Sequence, residues 1–472
     1  MKDYLPFVIT ASLLQAFVFI LLVIFSDYDS RIDASITGNA NHTGVQDTLS
    51  SVYPYFQDVQ GMIFLGFGFL MTFLQKYGYS SVGINFFIAV ISIQWALVIN
   101  GFVSSHATRI YLDGASLLNA EFATATILIS FGVVLGKTTP IQMLIMSFIE
   151  MPLFVLNEYI GRHLLMVSDV GDSIFVHTFG AYFGLFLSRV IHKKKMGNSK
   201  NESSIYHSDL FAMIGTLVLW MFWPSFNSGG IEGEQRHRAV VNTFCSLIAS
   251  TIVTFIISAL VEKGKINMVH IANATLSGGV AVGASANLML KPWGACLIGM
   301  IAGAVSTLGY KYITVRLDKF KTSWNKDYLH FIYFLQPRLN KIGFHDTCGV
   351  NNLHGMPGLI AGIVMAIATV FVTNETYGKN VVKIFEARST RTASQQAGYQ
   401  MAALLVTFGI AAISGALTGL ILKIKVLNVN YKDKEEQYFN DEPFWEVPDF
   451  IPGNYSVVDT EKKISIELEE RA

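Results

Sequence analysis

A helix needs about 20 largely apolar residues to cross the hydrocarbon core of a bilayer, and this chain supplies such runs one after another. Read in order they predict twelve helices, at roughly 4–26, 59–78, 82–104, 117–137, 140–167, 172–192, 210–228, 238–262, 270–291, 293–313, 350–373 and 398–425. Only Lys137 and Pro140 divide the fourth from the fifth, and only Lys291-Pro292 the ninth from the tenth; each reads as a short turn with a proline stop. Of 472 residues 52% are hydrophobic and 14% charged, against about a quarter charged in a soluble domain. Disorder and disulfide-scaffold classes are excluded with the soluble ones. Lys+Arg and Asp+Glu are 34 each, so no basic excess points to nucleic acid. Cys245, Cys296 and Cys348 form no CxxC pair, so neither a metal site nor a disulfide framework is indicated. The fold class is an all-α polytopic membrane protein.

Basic residues concentrate in alternate loops. Arg189 to Lys200 follow helix six, Lys263 and Lys265 follow helix eight, Lys311 to Lys341 follow helix ten, and Lys423 and Lys425 follow helix twelve. The positive-inside rule places these loops and both termini in the cytoplasm. Loops 27–57 and 374–397 then lie outside, and each carries a glycosylation sequon, at Asn41 and Asn374. A third sequon, at Asn201, falls on the cytoplasmic side and reads as chance. Leu5 to Phe25 exceeds the 7–15 residues of a signal core, so the first span reads as a retained helix. The expected organisation is an N-terminal helix over 1–26, an extracellular loop over 27–57, a core over 58–425 and an acidic cytoplasmic tail over 426–472.

Two of the eleven histidines lie within spans, His177 in helix six and His354 at the start of helix eleven. The others sit in loops or at helix ends and read as surface residues. A lone intramembrane histidine is often a packing residue bonded to a carbonyl, but an ionisable side chain in a span is a functional candidate by default. The surroundings favour function. Asp169 precedes His177, and Asp346 precedes His354, by eight positions, and small-xxx-small pairs follow each histidine. Eight helical residues rise about 12 Å, so each Asp marks a membrane face and each His lies deeper. Helix six enters from outside and helix eleven from inside, five helices apart. An element repeated in opposite orientation indicates two inverted five-helix repeats, about 59–192 and 210–373, with the site at their midplane interface.

The GxxxG pairs Gly180/Gly184, Gly279/Gly283, Gly299/Gly303, Gly358/Gly362 and Gly415/Gly419 predict close helix crossings rather than a wide aqueous funnel. Whatever passes is small.

The segments Tyr55-Phe-Gln-Asp-Val59, Gly66-Phe-Gly-Phe-Leu-Met-Thr-Phe-Leu-Gln75, Val134-Leu-Gly-Lys137, His177-Thr-Phe-Gly-Ala-Tyr-Phe-Gly184, Ser208-Asp-Leu-Phe-Ala-Met-Ile-Gly-Thr216, Trp223-Pro-Ser-Phe-Asn-Ser228, Val269-His-Ile-Ala-Asn-Ala-Thr275 and Asn351-Asn-Leu-His-Gly355 resemble the Rh glycoproteins, the animal branch of the ammonium transporter (Amt/Rh) family. The resemblance implies a homotrimer whose protomers each hold a pore, in the plasma membrane. It implies His177 and His354 as twin pore histidines, and Phe122 and Phe226 as a stacked outer gate. Asp169 and Asn227 would lie near the outer recruitment site, with Glu158 in the outer vestibule and Asp209 in the inner one. Carbon dioxide enters as a second substrate by resemblance alone. Departures are Asn267, where several mammalian members carry Asp, and Asp172 in place of a glycine, expected to make the outer mouth more acidic. The segment 317–345, with Trp324 and Tyr328, is longer than in relatives.

The chemistry suits ammonia. Ammonium resembles potassium in charge and size, and moving an ion across the membrane costs about 2.3 kcal/mol per charge per 100 mV besides dehydration. Shedding a proton at the mouth removes both costs, and potassium cannot follow. Imidazoles offer hydrogen-bond partners without fixed charge, and outer carboxylates and aromatic faces gather the cation. No cofactor or metal is required. No HExxH motif and no GxSxG with a partner His is present, so an enzyme is not indicated. The alternative is a non-conducting ammonium sensor or membrane scaffold, which the presence of both histidines disfavours.

Overall fold

The structure, a computed structural model, describes residues 5–37, 49–105, 109–193, 196, 199–314, 343–424, 427 and 435–447. Asn41, most of segment 317–345 and the tail beyond residue 447 lie outside the described residues. Among the described residues, eleven helices are long and apolar enough to span a membrane: α1 Leu5–Phe25, α2 Ser50–Phe73, α3 Ser80–Val103, α4 Gly114–Val134, α5 Pro140–Leu164, α6 Ser173–Ile191, α7 Tyr206–Ser228, α8 Gly233–Val261, α10 Lys291–Tyr312, α11 Asn351–Val370 and α12 Ala393–Leu422. Between α8 and α10 the expected ninth helix is broken. α9 consists of Met268–Ala274 and Ser277–Gly283, and helix is absent from there to Lys291.

The break has a physical reason. Residues 276–288 are mostly Gly, Ala, Ser and Val, which pack closely but hold a helix weakly. Neighbouring side chains satisfy the carbonyls: Ser246 bonds Gly278, Asn227 bonds Gly279, Ser173 bonds Val280, and Asn242 bonds Ala286 and Leu288. Irregular backbone at membrane depth is tolerated only where protein supplies such partners.

α2 begins about nine residues before the expected 59, which shortens the 27–57 loop. Its first turns contain Tyr53, Pro54, Gln57 and Asp58, too polar to register as a span. Asp58 is answered by protein, since Ser225 Oγ donates to its carboxylate. That loop also holds a short strand, Ser26–Tyr28, paired in parallel with Ile110–Leu112. Helix starts are otherwise written locally. Thr139 with Gln142 caps α5 ahead of Pro140, Asp113 with Ser116 caps α4, and Thr392 with Gln395 caps α12.

α4 and α6 form the centre, while α1 lies at the edge with Val18 its only buried residue. The glycine pairs mark helix crossings as expected. A Cβ on Gly299 would sit 2.0 Å from the Ser246 carbonyl oxygen, and one on Gly415 2.2 Å from that of Phe183. The tail is not simply an extension: residues 435–447 dock on the ends of the bundle. Phe439 donates its N–H to the Gly136 carbonyl, Asp441 accepts from the backbone N–H groups of Tyr79 and Ser80, and Trp445 Nε1 donates to Ser80 Oγ.

Candidate functional site: twin histidines in a column of rings

Asp169 receives the backbone N–H groups of Ser173, Ile174 and Phe175 at 3.0, 2.7 and 3.0 Å. It caps a π-helical opening turn, Ser173–Thr178, which carries His177. Asp346 receives those of Val350 and Asn351 at 2.9 and 2.8 Å and caps a second π-helical turn, Asn351–Gly355, which carries His354. π-turns widen a helix and collect at functional sites; neither is legible from apolar periodicity. The two turns cross where Gly358 meets α6, a Cβ there falling 2.4 Å from Thr178 Oγ1.

The crossing brings His177 Nδ1 to 3.0 Å from His354 Nδ1, with ring centroids 5.0 Å apart and planes 13° from parallel. Such a contact needs a hydrogen on one nitrogen and a lone pair on the other, so at least one ring is neutral. Both side chains are buried. His177 Nε2 has no hydrogen-bond partner among the described residues.

Aromatic rings continue the column. Phe122 and Phe226 meet edge to face at 4.9 Å, and Phe226 lies 5.6 Å from His177. Phe67 stacks beyond His354 at 6.3 Å. Trp223 runs alongside, 5.6 Å from His177 and 6.5 Å from His354, its buried indole Nε1 also without a partner among the described residues. Nothing in the sequence gives Trp223 or Phe67 a role of its own, although both stand inside segments that resemble the family. A cavity of about 510 Å³ opens at Phe122, walled by Glu158, Arg162 and Asp172 among others. On the other side a void of about 20 Å³ touches His354. A further cavity of about 360 Å³, lined by Tyr182, Phe186, Glu202, His345 and Asp346, opens near the basic loops.

The expected residues play different parts around this path. Asp169 is fully buried and spent on capping, and does not line the acidic cavity. Asn227 is also fully buried. Its Nδ2 donates to Thr243 Oγ1 and the Gly279 carbonyl, tying α7 to α8 and α9. Glu158 does stand on the cavity wall, and Asp172 joins it there. The Arg162 guanidinium bonds both, reaching Glu158 Oε1 at 2.8 Å and Asp172 Oδ1. The extra acid is thus paired, not simply added. Burial pushes the Asp172 carboxyl up from its ordinary value while Arg162 pulls it down. Asp172 has φ +53°, a left-handed conformation that favours glycine. Asp209 accepts from Ser204 Oγ at 3.2 Å and does not line the cavity near the basic loops. Asn267 caps α9 through Val269 N–H. Three histidines read as surface residues are buried or half-buried instead: His270 contacts Ser258 Oγ at 3.0 Å, His345 lines a cavity, and His192 lies with its ring centroid 6.2 Å from that of His345. A sequence scan finds loop positions, not what folds over them.

Two open vestibules separated by a narrow, ring-lined, histidine-bearing path define a membrane channel for a small polar molecule. The Ammonium Transporter Family model matches residues 16–441, and the chain belongs to that family. It is 46% identical over 446 residues to the ammonium transporter Rh type B-B of Xenopus laevis, covering 92% of each chain. It is 44% identical over 441 residues to the human ammonium transporter Rh type B, covering 92% of this chain and 91% of that one. The solved structure of Nitrosomonas europaea Rh50 matches with TM-score 0.69 at 28% identity, covering 89% of this chain and 98% of that one. Candida albicans Mep2 matches in fold, with TM-score 0.64 at 17% identity over 84% of this chain and 88% of its own.

Proposed function

We propose that this protein passes ammonia and ammonium across a membrane along the column from Phe122 to His354, the protonated form being gathered and deprotonated at the acidic mouth. The observation that carries this is the His177–His354 contact at 3.0 Å, with His177 Nε2 buried and lacking a partner among the described residues. A small neutral molecule with one lone pair and three N–H groups complements such a site. A monovalent ion does not, because the rings beside it hold no counter-charge. An unsatisfied buried polar group costs about 1–3 kcal/mol, which a passing ammonia molecule relieves in transit.

Phe122 and Phe226 are the outer gate, and Glu158 with Asp172 gathers the cation under the control of Arg162. Asp169 and Asp346 are supports for the histidine turns. Asn227 is a brace, and Asp209 stays a candidate inner-vestibule acid at the start of α7. The acidic mouth faces outside, the basic loops and both termini face the cytoplasm, and the membrane is the plasma membrane. The core is residues 58–425, with repeats of about 59–192 and 210–373. Asn41 and Asn374 carry glycans. Protomers assemble as a homotrimer within lipid, and carbon dioxide is a second permeant. Native mass spectrometry of the active protein tests the trimer; a monomer with full flux overturns it.

Proteoliposomes holding a pH dye test conduction. On ammonium addition the interior should alkalinise faster than in empty vesicles, with no matching potassium flux. Alkalinisation at the empty-vesicle rate would leave a sensor or scaffold that binds without conducting.

A further inference from the structure

The cavity of about 360 Å³ near the basic loops includes in its wall Asn351, the first residue of the turn that carries His354. Besides the phenol of Tyr182, its wall carries three titratable groups, Glu202, His345 and Asp346. Asp346 is committed to capping α11. The other two form a chain with a buried lysine. Lys137, in the turn after α4, donates from Nζ to the His345 carbonyl at 2.7 Å and to Ser188 Oγ at 2.9 Å, and lies 3.1 Å from His345 Nδ1. His345 Nε2 lies 3.1 Å from Glu202 Oε1.

Hydrogen counting fixes the direction of this chain. An ammonium group has donors and no acceptor, so Nδ1 of His345 accepts from Lys137. The ring hydrogen is then on Nε2, directed at Glu202. Lys137 therefore positions the imidazole, and His345 donates its Nε2 hydrogen to Glu202 Oε1, so the other carboxyl oxygen, Oε2, is the atom that carries an exchangeable proton at the cavity wall. Among the described residues, the groups near His345 include His192, with ring centroids 6.2 Å away, Asp346 next in sequence and Phe439 of the docked tail at 6.2 Å, while Arg189 lies against Gly343. Loops that the sequence separates, after α4, before α7 and before α11, meet at this one point.

We propose that Glu202 and His345 form a proton-exchange pair at the cytoplasmic exit, where ammonia that has crossed the column takes up a proton. The inference rests on the conduction reading above and adds residues to it. In the step, the ammonia lone pair takes the hydrogen of the Glu202 carboxylic acid. An N–H bond forms, an O–H bond breaks, and ammonium leaves into the cytosol. Cytosolic water returns the proton to the carboxylate, and His345 stabilises that carboxylate through its Nε2 hydrogen. Outward flux runs the step in reverse, with the carboxylate taking a proton from cytosolic ammonium.

The test uses the full-length protein in cells, with external pH fixed and cytosolic pH varied between about 6 and 8, which changes the supply of protons at the exit about a hundredfold. Initial uptake of labelled methylammonium is normalised to surface protein. Glu202→Gln and His345→Gln should lower the maximal rate about tenfold, leave the external KM unchanged, and flatten the dependence on cytosolic pH. Glu202→Asp, which keeps the acid, should restore at least half the rate. Altered melting or assembly with normal rate per surviving molecule would mean a structural role and overturn the proposal. So would wild-type rate and pH profile in both Gln variants. Absence of uptake in the wild-type protein would instead remove the conduction reading itself.

Discussion

Asp169 and Asp346 do one job twice: each accepts the first backbone N–H groups of a π-helical turn, and each stands eight residues before a pore histidine. Because a carboxylate at a helix start is favoured by the local dipole as well as by its hydrogen bonds, both turns are held at fixed depth. Backbone capping therefore sets the depth of the two imidazoles, and their mutual Nδ1 contact leaves His177 Nε2 without a partner among the described residues.

If His177 and His354 line the path, replacing either by Ala should leave expression and assembly nearly intact while lowering flux. Losing one hydrogen-bond partner is worth about 1 kcal/mol, so the expected loss is several-fold to tenfold. His177→Glu should attract cations and give measurable current. Surface-normalised uptake and voltage clamp on the same variants decide; unchanged flux in both single variants and the double would remove the histidines from the path.

Trp223 is held against the column by Gly279, where a Cβ would lie 2.6 Å from the indole Cδ1 and Nε1. Gly279→Ala should push the ring toward the histidines, costing about 1–3 kcal/mol by overpacking and slowing flux more than Gly→Ala at an open position such as Gly409, which has no neighbour within 4 Å. Thermal melts and flux on both variants check this.

The docked tail should respond to pH. Burial pushes the Asp441 carboxyl above its ordinary value, against the hydrogen bonds from Tyr79 and Ser80. A carboxyl raised in the folded state stabilises most below its unfolded pKa, about 3.9, and loses that contribution as pH rises through the folded value. Asp441→Asn keeps an acceptor and removes the titration. The wild-type minus variant melting difference should therefore fall by about 2 °C between acid and neutral pH; a rising difference would reverse the assignment.

Asn374 is exposed at the start of a short helix, accessible to glycosylation, whereas Asn201 spends its Nδ2 on the carbonyls of Glu436 and Tyr438. Changing Asn41 and Asn374 to Gln should abolish every glycosidase-sensitive gel shift. A shift that survives and then disappears with Asn201→Gln would invert the topology.

Chemistry local to the chain is legible in the order of residues alone. Apolar runs of bilayer length mark the spans, because hydrocarbon tolerates little else, and the Asp–His spacing marks the histidine pair, because a cap and a buried ring on one helix keep a fixed separation. GxxxG pairs mark the crossings, since only a hydrogen lets two backbones approach so closely. What fails to show is whatever depends on a partner far along the chain. α9 is apolar enough to span yet broken, because side chains on α6, α7 and α8 satisfy its carbonyls. That Asp169 caps a turn and Asn227 braces three helices shows only in their bonds. Lys137, Glu202 and His345 lie in three separate loops, and only the folded bundle brings ammonium, imidazole and carboxylate within hydrogen-bond distance. Sequence determines which groups the membrane will accept and at what depth along one helix; tertiary structure decides which of them meet, since a hydrogen bond is set by distances between side chains that no single stretch of chain encodes.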